Sequence, residues 1–170
     1  MTTDIDEPER FRTPAYLAVL DPTPSPASLQ IDAETITTMI ESACAGYPHE
    51  VCGLLIGSAH EDHWQVREAR PVANLNQARA SDRFQLDPAA YQQIDRELRN
   101  SALEIIGVYH SHPDCPAKPS PTDLESAWEG FLYPIISIHH GQHHEIRYWH
   151  LNDSGQAFQQ IASTGSHHDQ

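Results

Sequence analysis

Two short apolar runs constrain the fold more than anything else in this chain. Val51-Cys52-Gly53-Leu54-Leu55-Ile56-Gly57 is apolar throughout and lies between turn-forming residues, and Leu103 to Tyr109 is nearly so and rich in β-branched side chains. A strand with one face in water alternates polar and apolar residues, whereas a strand covered on both faces does not. Both runs are therefore expected to lie inside a sheet that carries helices on its faces.

The remaining pattern supplies those helices and further strands. Asp32 is a candidate N-cap, followed at helical spacing by Ile36, Met39, Ile40, Ala43, Cys44 and Tyr47, so a helix is expected over Ala33 to Ala45, ended by Gly46 and Pro48. Trp64 to Ala73 alternates as a second strand, residues 74–82 form a polar loop, and Arg83 to Leu86 has the pattern of a short strand. Asp87-Pro88 opens a helix marked by Tyr91, Ile94 and Leu98. Leu124, Ala127, Trp128 and Phe131, spaced i, i+3, i+4, i+7, predict a third helix from Thr122, and strands over 133–139 and 145–151 flank a turn at Gly141. The fold class is α/β, with one central sheet. Residues 1–30, with Pro8, Pro14, Pro22, Pro24 and Pro26, form a proline-rich extension expected to be partly flexible, in which Tyr16 to Leu20 adds an edge strand or docks on the body. The domain proper is expected over 31–160, and 161–170 as a frayed tail.

Charge and cysteine usage narrow the function. Twenty-four acidic against ten basic residues give a net charge of −14, and Lys118 is the single lysine, so no basic face is expected for a nucleic acid or an anionic membrane. A partner carrying some basic surface suits this balance better. The three cysteines, Cys44, Cys52 and Cys115, are an odd number at irregular spacing and are expected to be reduced thiols. With no apolar run of membrane-spanning length and no basic-then-apolar leader, the expected location is the cytoplasm.

The second apolar run leads into Tyr109-His110-Ser111-His112-Pro113-Asp114-Cys115-Pro116-Ala117-Lys118-Pro119-Ser120-Pro121-Thr122-Asp123. His110 and His112 point to one side of an extended segment. Asp123 follows a proline-punctuated turn able to fold it back towards them. Two imidazoles and a carboxylate suit a catalytic Zn²⁺ with one position open for water. Each half of the pattern also has a structural reading: a His-x-His pair can end a strand without binding anything, and Ser120-x-x-Asp123 and Thr122-x-x-Glu125 are both capping-box patterns.

The conjunction of His110-Ser111-His112, seven residues, Ser120, two residues and Asp123, with Glu50 upstream in Glu-x-Cys-Gly-Leu-Leu-Ile-Gly, resembles the JAMM or MPN+ metalloproteases over about Glu50 to Ser137. The resemblance implies a cytidine-deaminase-like central mixed β-sheet flanked by helices. It implies one Zn²⁺ per chain held by His110, His112 and Asp123, Glu50 as the base that activates water and then protonates the leaving amine, and Ser120 as the oxyanion donor. The deaminases' own His-x-Glu and Pro-Cys-x-x-Cys ligand pattern is absent. The chain is also too compact for the insertions with which larger members grip polyubiquitin. The implied activity is that of the prokaryotic branch, hydrolysis after the Gly-Gly C-terminus of a ubiquitin-like, sulfur-carrier type protein. A non-catalytic scaffold on the same fold and a zinc peptidase for short peptides are the alternatives.

Four other features have plain readings. Cys115 is expected to be a bystander thiol and Lys118 a solvated lysine. The cluster of His139, His140, His143 and His144 straddles a turn and is expected to face solvent rather than bind a second metal. Trp128 and Trp149 are expected as core or interface aromatics.

Overall fold

A seven-stranded mixed sheet organises the computed structural model, which describes residues 7–162. A 3-10 turn at Glu9–Arg12 and a single helical turn, α1 (Pro14–Leu17), precede β1 (Ser28–Ile31), α2 (Ala33–Gly46), β2 (Cys52–His60) and β3 (His63–Val72). Then come α3 (Pro88–Glu97), β4 (Glu104–Pro113), α4 (Pro121–Glu125), β5 (Tyr133–His139), β6 (Gln142–Leu151) and β7 (Phe158–Gln160). The spatial order is β1-β3-β2-β4-β5-β6-β7, with β1/β3 and β4/β5 parallel and the other pairs antiparallel. The expected α/β mixed sheet flanked by helices is the architecture found.

The two apolar runs occupy the centre because both of their faces are covered. On one face Leu55, Ile106, Tyr109 and Ile136 pack with Met39 and Ala43 of α2; on the other Leu54, Ile56, Val108 and Ile135 pack with Ile94 of α3. α2 starts where its cap dictates, with the Asp32 side chain accepting from the Thr35 amide at 2.8 Å. α3 is likewise capped by Asp87, which accepts from the Ala89 amide, with Pro88 at its first position.

An irregularity in the β2/β4 pairing sets which face β4 shows to which helix. Leu55 pairs with Gly107 but Ile56 with Ile105, so Ile106 is an extra residue on β4, a β-bulge. Ile105 and Val108 consequently share the α3 face although they are three residues apart. From Val108 onward the period-2 alternation carries His110 and His112 to that same face. Gly107 is required there, since a Cβ would lie 2.2 Å from the Leu132 carbonyl oxygen.

Several local expectations need correction. The third helix stops after α4: Trp128 donates its amide to the Tyr133 hydroxyl at 2.6 Å and Gly130 adopts φ +83°, so the chain turns instead of continuing. Leu124, Ala127 and Phe131 still pack on the α3-side core, which is what their spacing recorded, while Trp128 is 55% exposed. Arg83 to Leu86 is not a strand; it contributes one bridge, Leu86 with Asn74. Tyr16 to Leu20 docks rather than adding a strand: its first residues complete α1, Val19 is buried and Leu20 bridges Phe158 of β7. Residues 163–170 of the expected frayed tail, and residues 1–6 of the extension, lie outside the described residues.

Candidate metal centre and active site

Strand pairing brings the distant acid to the histidines. β2 and β4 are antiparallel with Cys52 opposite His110, so Glu50, two residues before Cys52, stands beside His112, two residues after His110. The junction is locked by Ser111, whose hydroxyl accepts from the Val51 amide at 2.9 Å while its own amide donates to the Val51 carbonyl at 3.0 Å. Asn74, in the polar loop, donates both amide hydrogens, to the carbonyls of Glu50 and Arg83, each at 3.0 Å, and its Oδ1 accepts from the amides of Asn76 and Gln85. All four of its hydrogen-bonding positions are used, so the loop is tied to the backbone that presents Glu50.

Asp123 arrives through the capping box. The Ser120 hydroxyl accepts from the Asp123 amide at 3.1 Å, and Asp123 Oδ2 accepts from the Ser120 amide at 2.8 Å. Of the two capping patterns in the sequence, it is Ser120-x-x-Asp123 that starts α4. The same Oδ2 lies 3.4 Å from His110 Nε2 and 3.5 Å from His112 Nε2, which are themselves 3.1 Å apart. Glu50, His110 and His112 form a buried group whose ligand atoms all lie within 4.8 Å of one another. All five residues singled out in the sequence therefore meet at one place, with the Glu50, His110 and His112 side chains almost wholly inside.

The triangle has the chemistry and the size of a metal site. His112 Nδ1 contacts the Pro116 carbonyl at 2.9 Å, and because a carbonyl only accepts, that nitrogen carries the hydrogen. Nε2 of the neutral ring then turns a lone pair towards the Asp123 carboxylate and the second imidazole, an arrangement that calls for a cation among the donors. Bonds of about 2.0–2.1 Å in a tetrahedral site put neighbouring donors about 3.3–3.4 Å apart. The observed separations of 3.1, 3.4 and 3.5 Å bracket that value. His112 is oriented by the Pro116 carbonyl, the usual outer partner of a metal-ligating histidine. His110 is held differently: its ring stacks on Phe84 with centroids 4.6 Å apart, and its buried Nδ1 has no hydrogen-bond partner among the described residues.

Without a cation the cluster balances its own charges. Burial lowers the His112 imidazole, but Asp123 and Glu50 outweigh it and bring the group up to about 9. Burial alone would raise Asp123, yet the two imidazoles hold it well below the usual carboxylate range. Glu50 is raised, mainly by desolvation, against the opposing pull of both histidines. A buried carboxylate of raised basicity next to candidate ligands is what a proton-transferring group requires.

Two cavities flank the cluster and differ in character. One, of about 500 Å³, is bounded by His110 and Asp123 together with Phe84, Leu86, Tyr91 and Trp128. The other, of about 310 Å³, is polar and bounded by Glu50, His112 and Ser120 with Arg10, Arg79 and Arg83. Phe84, Asn74 and the three arginines carry no sequence signal, since each owes its place to a loop or to the docked segment Glu7–Leu20, whereas Ser111 is placed by β4 between the two histidines. Cys115 is part-buried near this second cavity; burial raises its thiol, and Arg10 Nη2 lies 3.1 Å from its sulfur.

At the turn of β5 and β6, His139 and His140 lie beside Asp114. Its Oδ1 accepts from the His140 amide at 2.8 Å and its Oδ2 from the Tyr47 hydroxyl at 2.5 Å. His139 and His140 Nδ1 stand 3.9 and 3.8 Å from it, the His140 side chain 78% exposed. His143 is exposed and His144 half-buried.

A mixed sheet with two histidines and two acids meeting at its strand ends is the constellation of a JAMM-type hydrolase. The family model described as prokaryotic homologues of the JAB domain matches residues 32–152, and the chain belongs to that family. It is 36% identical over 118 residues to a desampylase of Haloferax volcanii, covering 68% of this chain and 83% of that protein. It is 29% identical over 126 residues to a CysO-cysteine peptidase of Mycobacterium bovis, covering 74% and 84%. Among solved structures, a protein from Desulfitobacterium hafniense superposes with a TM-score of 0.68 at 23% identity over 84% of this chain and 99% of its own, a likeness of fold.

Proposed function

We propose that the protein is a zinc-dependent peptidase or isopeptidase that hydrolyses the bond after the Gly-Gly C-terminus of a ubiquitin-like, sulfur-carrier type protein in the cytoplasm. The observation that carries this is the triangle of His110 Nε2, His112 Nε2 and Asp123 Oδ2, 3.1 to 3.5 Å on its edges, with the buried Glu50 beside it. The names of the two relatives, a desampylase and a CysO-cysteine peptidase, support the substrate class. That no helix among the described residues is long and apolar enough to cross a membrane is compatible with the location.

In this reading His110, His112 and Asp123 hold one zinc ion. When bound, zinc supplies a Lewis acid that polarises a carbonyl and lowers the pKa of water towards neutrality. Glu50 accepts the proton of the attacking water and returns it to the leaving nitrogen as the C–N bond breaks. The Ser120 oxygen accepts from the Asp123 amide, which leaves its O–H free to donate to the oxygen of the tetrahedral intermediate. The apolar walls of Phe84, Tyr91 and Trp128 exclude water beside the extended carrier tail.

The test is incubation of protein purified without chelator with a carrier extended beyond its diglycine, read by intact mass, alongside metal analysis. Wild type is expected to contain about one zinc per chain and to release the extension. Glu50→Gln is expected to keep the metal and to lose at least about 10²-fold in rate. A zinc-free active wild type, or loss of zinc in E50Q, would show that the roles are otherwise assigned.

A further inference from the structure

The polar cavity on the Glu50 side speaks to the group that leaves. This inference rests on the hydrolase reading above and concerns which extension the carrier bears. Because Glu50 returns the proton to the departing nitrogen, that nitrogen and what is attached to it must lie on Glu50's side of the cluster. Glu50 bounds the polar cavity of about 310 Å³ and not the apolar one.

That cavity is cationic in an otherwise acidic protein. Three of the ten basic side chains of a chain with net charge −14, Arg10, Arg79 and Arg83, line it. Arg79 is neutralised by an ion pair with Asp82. Among the described residues the other two have no carboxylate partner: Arg10 donates to the Cys115 sulfur, and the Arg83 side chain makes no hydrogen bond or ion pair. Both are placed by structure rather than by chance. Asn74 binds the carbonyls of Arg83 and Glu50 with one amide group, which fixes the backbone of Arg83 relative to that of the base. Arg10 is set by its neighbour Phe11, which is buried, and by the ion pair of Glu7 with Lys118 at 2.7 Å.

A guanidinium with no carboxylate partner among the described residues suits one from the substrate, since its planar fork matches the two oxygens. We propose that Arg10 and Arg83 select a leaving group whose released amine sits next to a free α-carboxylate, a C-terminal amino acid or a very short peptide. The lysine side chain of an acceptor protein brings an aliphatic stem and no such anion. The reaction balances as a plain hydrolysis: water adds to the glycine carbonyl, the C–N bond breaks, the carrier keeps a carboxylate and the amino acid departs with the proton from Glu50.

The experiment compares three substrates made from one carrier: its diglycine extended by a single amino acid with a free carboxylate, the same extension as a C-terminal amide, and an isopeptide to the lysine of a folded protein. Wild type is expected to cleave the free acid with a kcat/KM at least about tenfold above that of the amide. That ratio is expected to fall in Arg10→Gln and in Arg83→Gln, to approach one in the double variant, and to recover in part in Arg83→Lys. Thermal melts confirm that each variant is folded. Equal cleavage of acid and amide by wild type, an isopeptide cut faster than the free acid, or a ratio preserved in the double variant overturns the inference while leaving the hydrolase reading intact. Failure of wild type to cut any of the three overturns both.

Discussion

At Ser120 a stabilising role and a chemical role share an atom, and they can be separated by magnitude. Its oxygen caps α4 by accepting from the Asp123 amide at 3.1 Å, while the reciprocal bond from the Ser120 amide to Asp123 Oδ2, at 2.8 Å, uses only the backbone of residue 120 and survives its substitution. Ser120→Ala therefore deletes one neutral bond at a half-exposed helix end, a loss of about 1 kcal/mol within a usual range of about 0.5–2. In a chain of this size that lowers Tm by roughly 2–4 °C. Folded protein remains the dominant species in any assay at 25 °C, because total stabilities run to about 5–15 kcal/mol. Loss of an oxyanion donor is larger, about 2.7–4 kcal/mol or 10²–10³ in kcat. Ser120→Gly sharpens the contrast, since glycine at an N-cap costs only a few tenths of a kcal/mol relative to serine. The expected result is that both variants keep their metal and lose about 10²–10³ in kcat, while only S120A melts measurably earlier. Turnover of S120G near that of wild type would show the hydroxyl to be a cap and nothing more.

Two further outcomes follow from the cluster and the sheet. In the metal-free protein the His112 imidazole is raised to about 9. The ion pairing that raises it contributes stability present below the ordinary value of about 6.5 and lost as pH rises through about 9. Since a ligating histidine must be neutral, metal binding at pH 7 should expel close to one proton from this group, against about a quarter for an unperturbed imidazole. Calorimetry in buffers of different ionisation enthalpy measures this, and buffer-independent heats would contradict it. Gly107→Ala places a methyl group 2.2 Å from the Leu132 carbonyl, which accepts from the Val108 amide at 3.0 Å. A backbone shift at the β4/β5 junction is expected to cost about 1–3 kcal/mol, and a Tm unchanged from wild type would place the contact elsewhere.

Much of the fold was legible because its signals are local. The Asp32 and Asp87 caps begin helices where they stand, and the runs at 51–57 and 103–109 lie in central strands. The expected third helix is cut short for a physical reason. The spacing of Leu124, Ala127 and Phe131 reports which side chains reach the core, and an irregular turn satisfies that condition as well as a helix does. Arg83 to Leu86 alternates without being a strand, because alternation also arises in a loop whose carbonyls and amides are bonded by a side chain, here Asn74.

Sequence alone determined the chemical inventory: a His-x-His at the end of a buried strand, a capped aspartate after a proline-rich turn, and an acid at the head of a second buried strand. Spacing along a chain has that power because strand alternation and helix capping are set within a few residues. Only the tertiary structure decided the rest. The Ile106 bulge set the face on which His110 and His112 emerge, antiparallel pairing carried Glu50 across 62 positions to His112, and the docked N-terminal segment and the Asn74 loop brought Arg10 and Arg83, without carboxylate partners among the described residues, to the cavity on the side of the base. Those placements depend on register, on bulges and on contacts between segments distant in sequence, which no local pattern encodes.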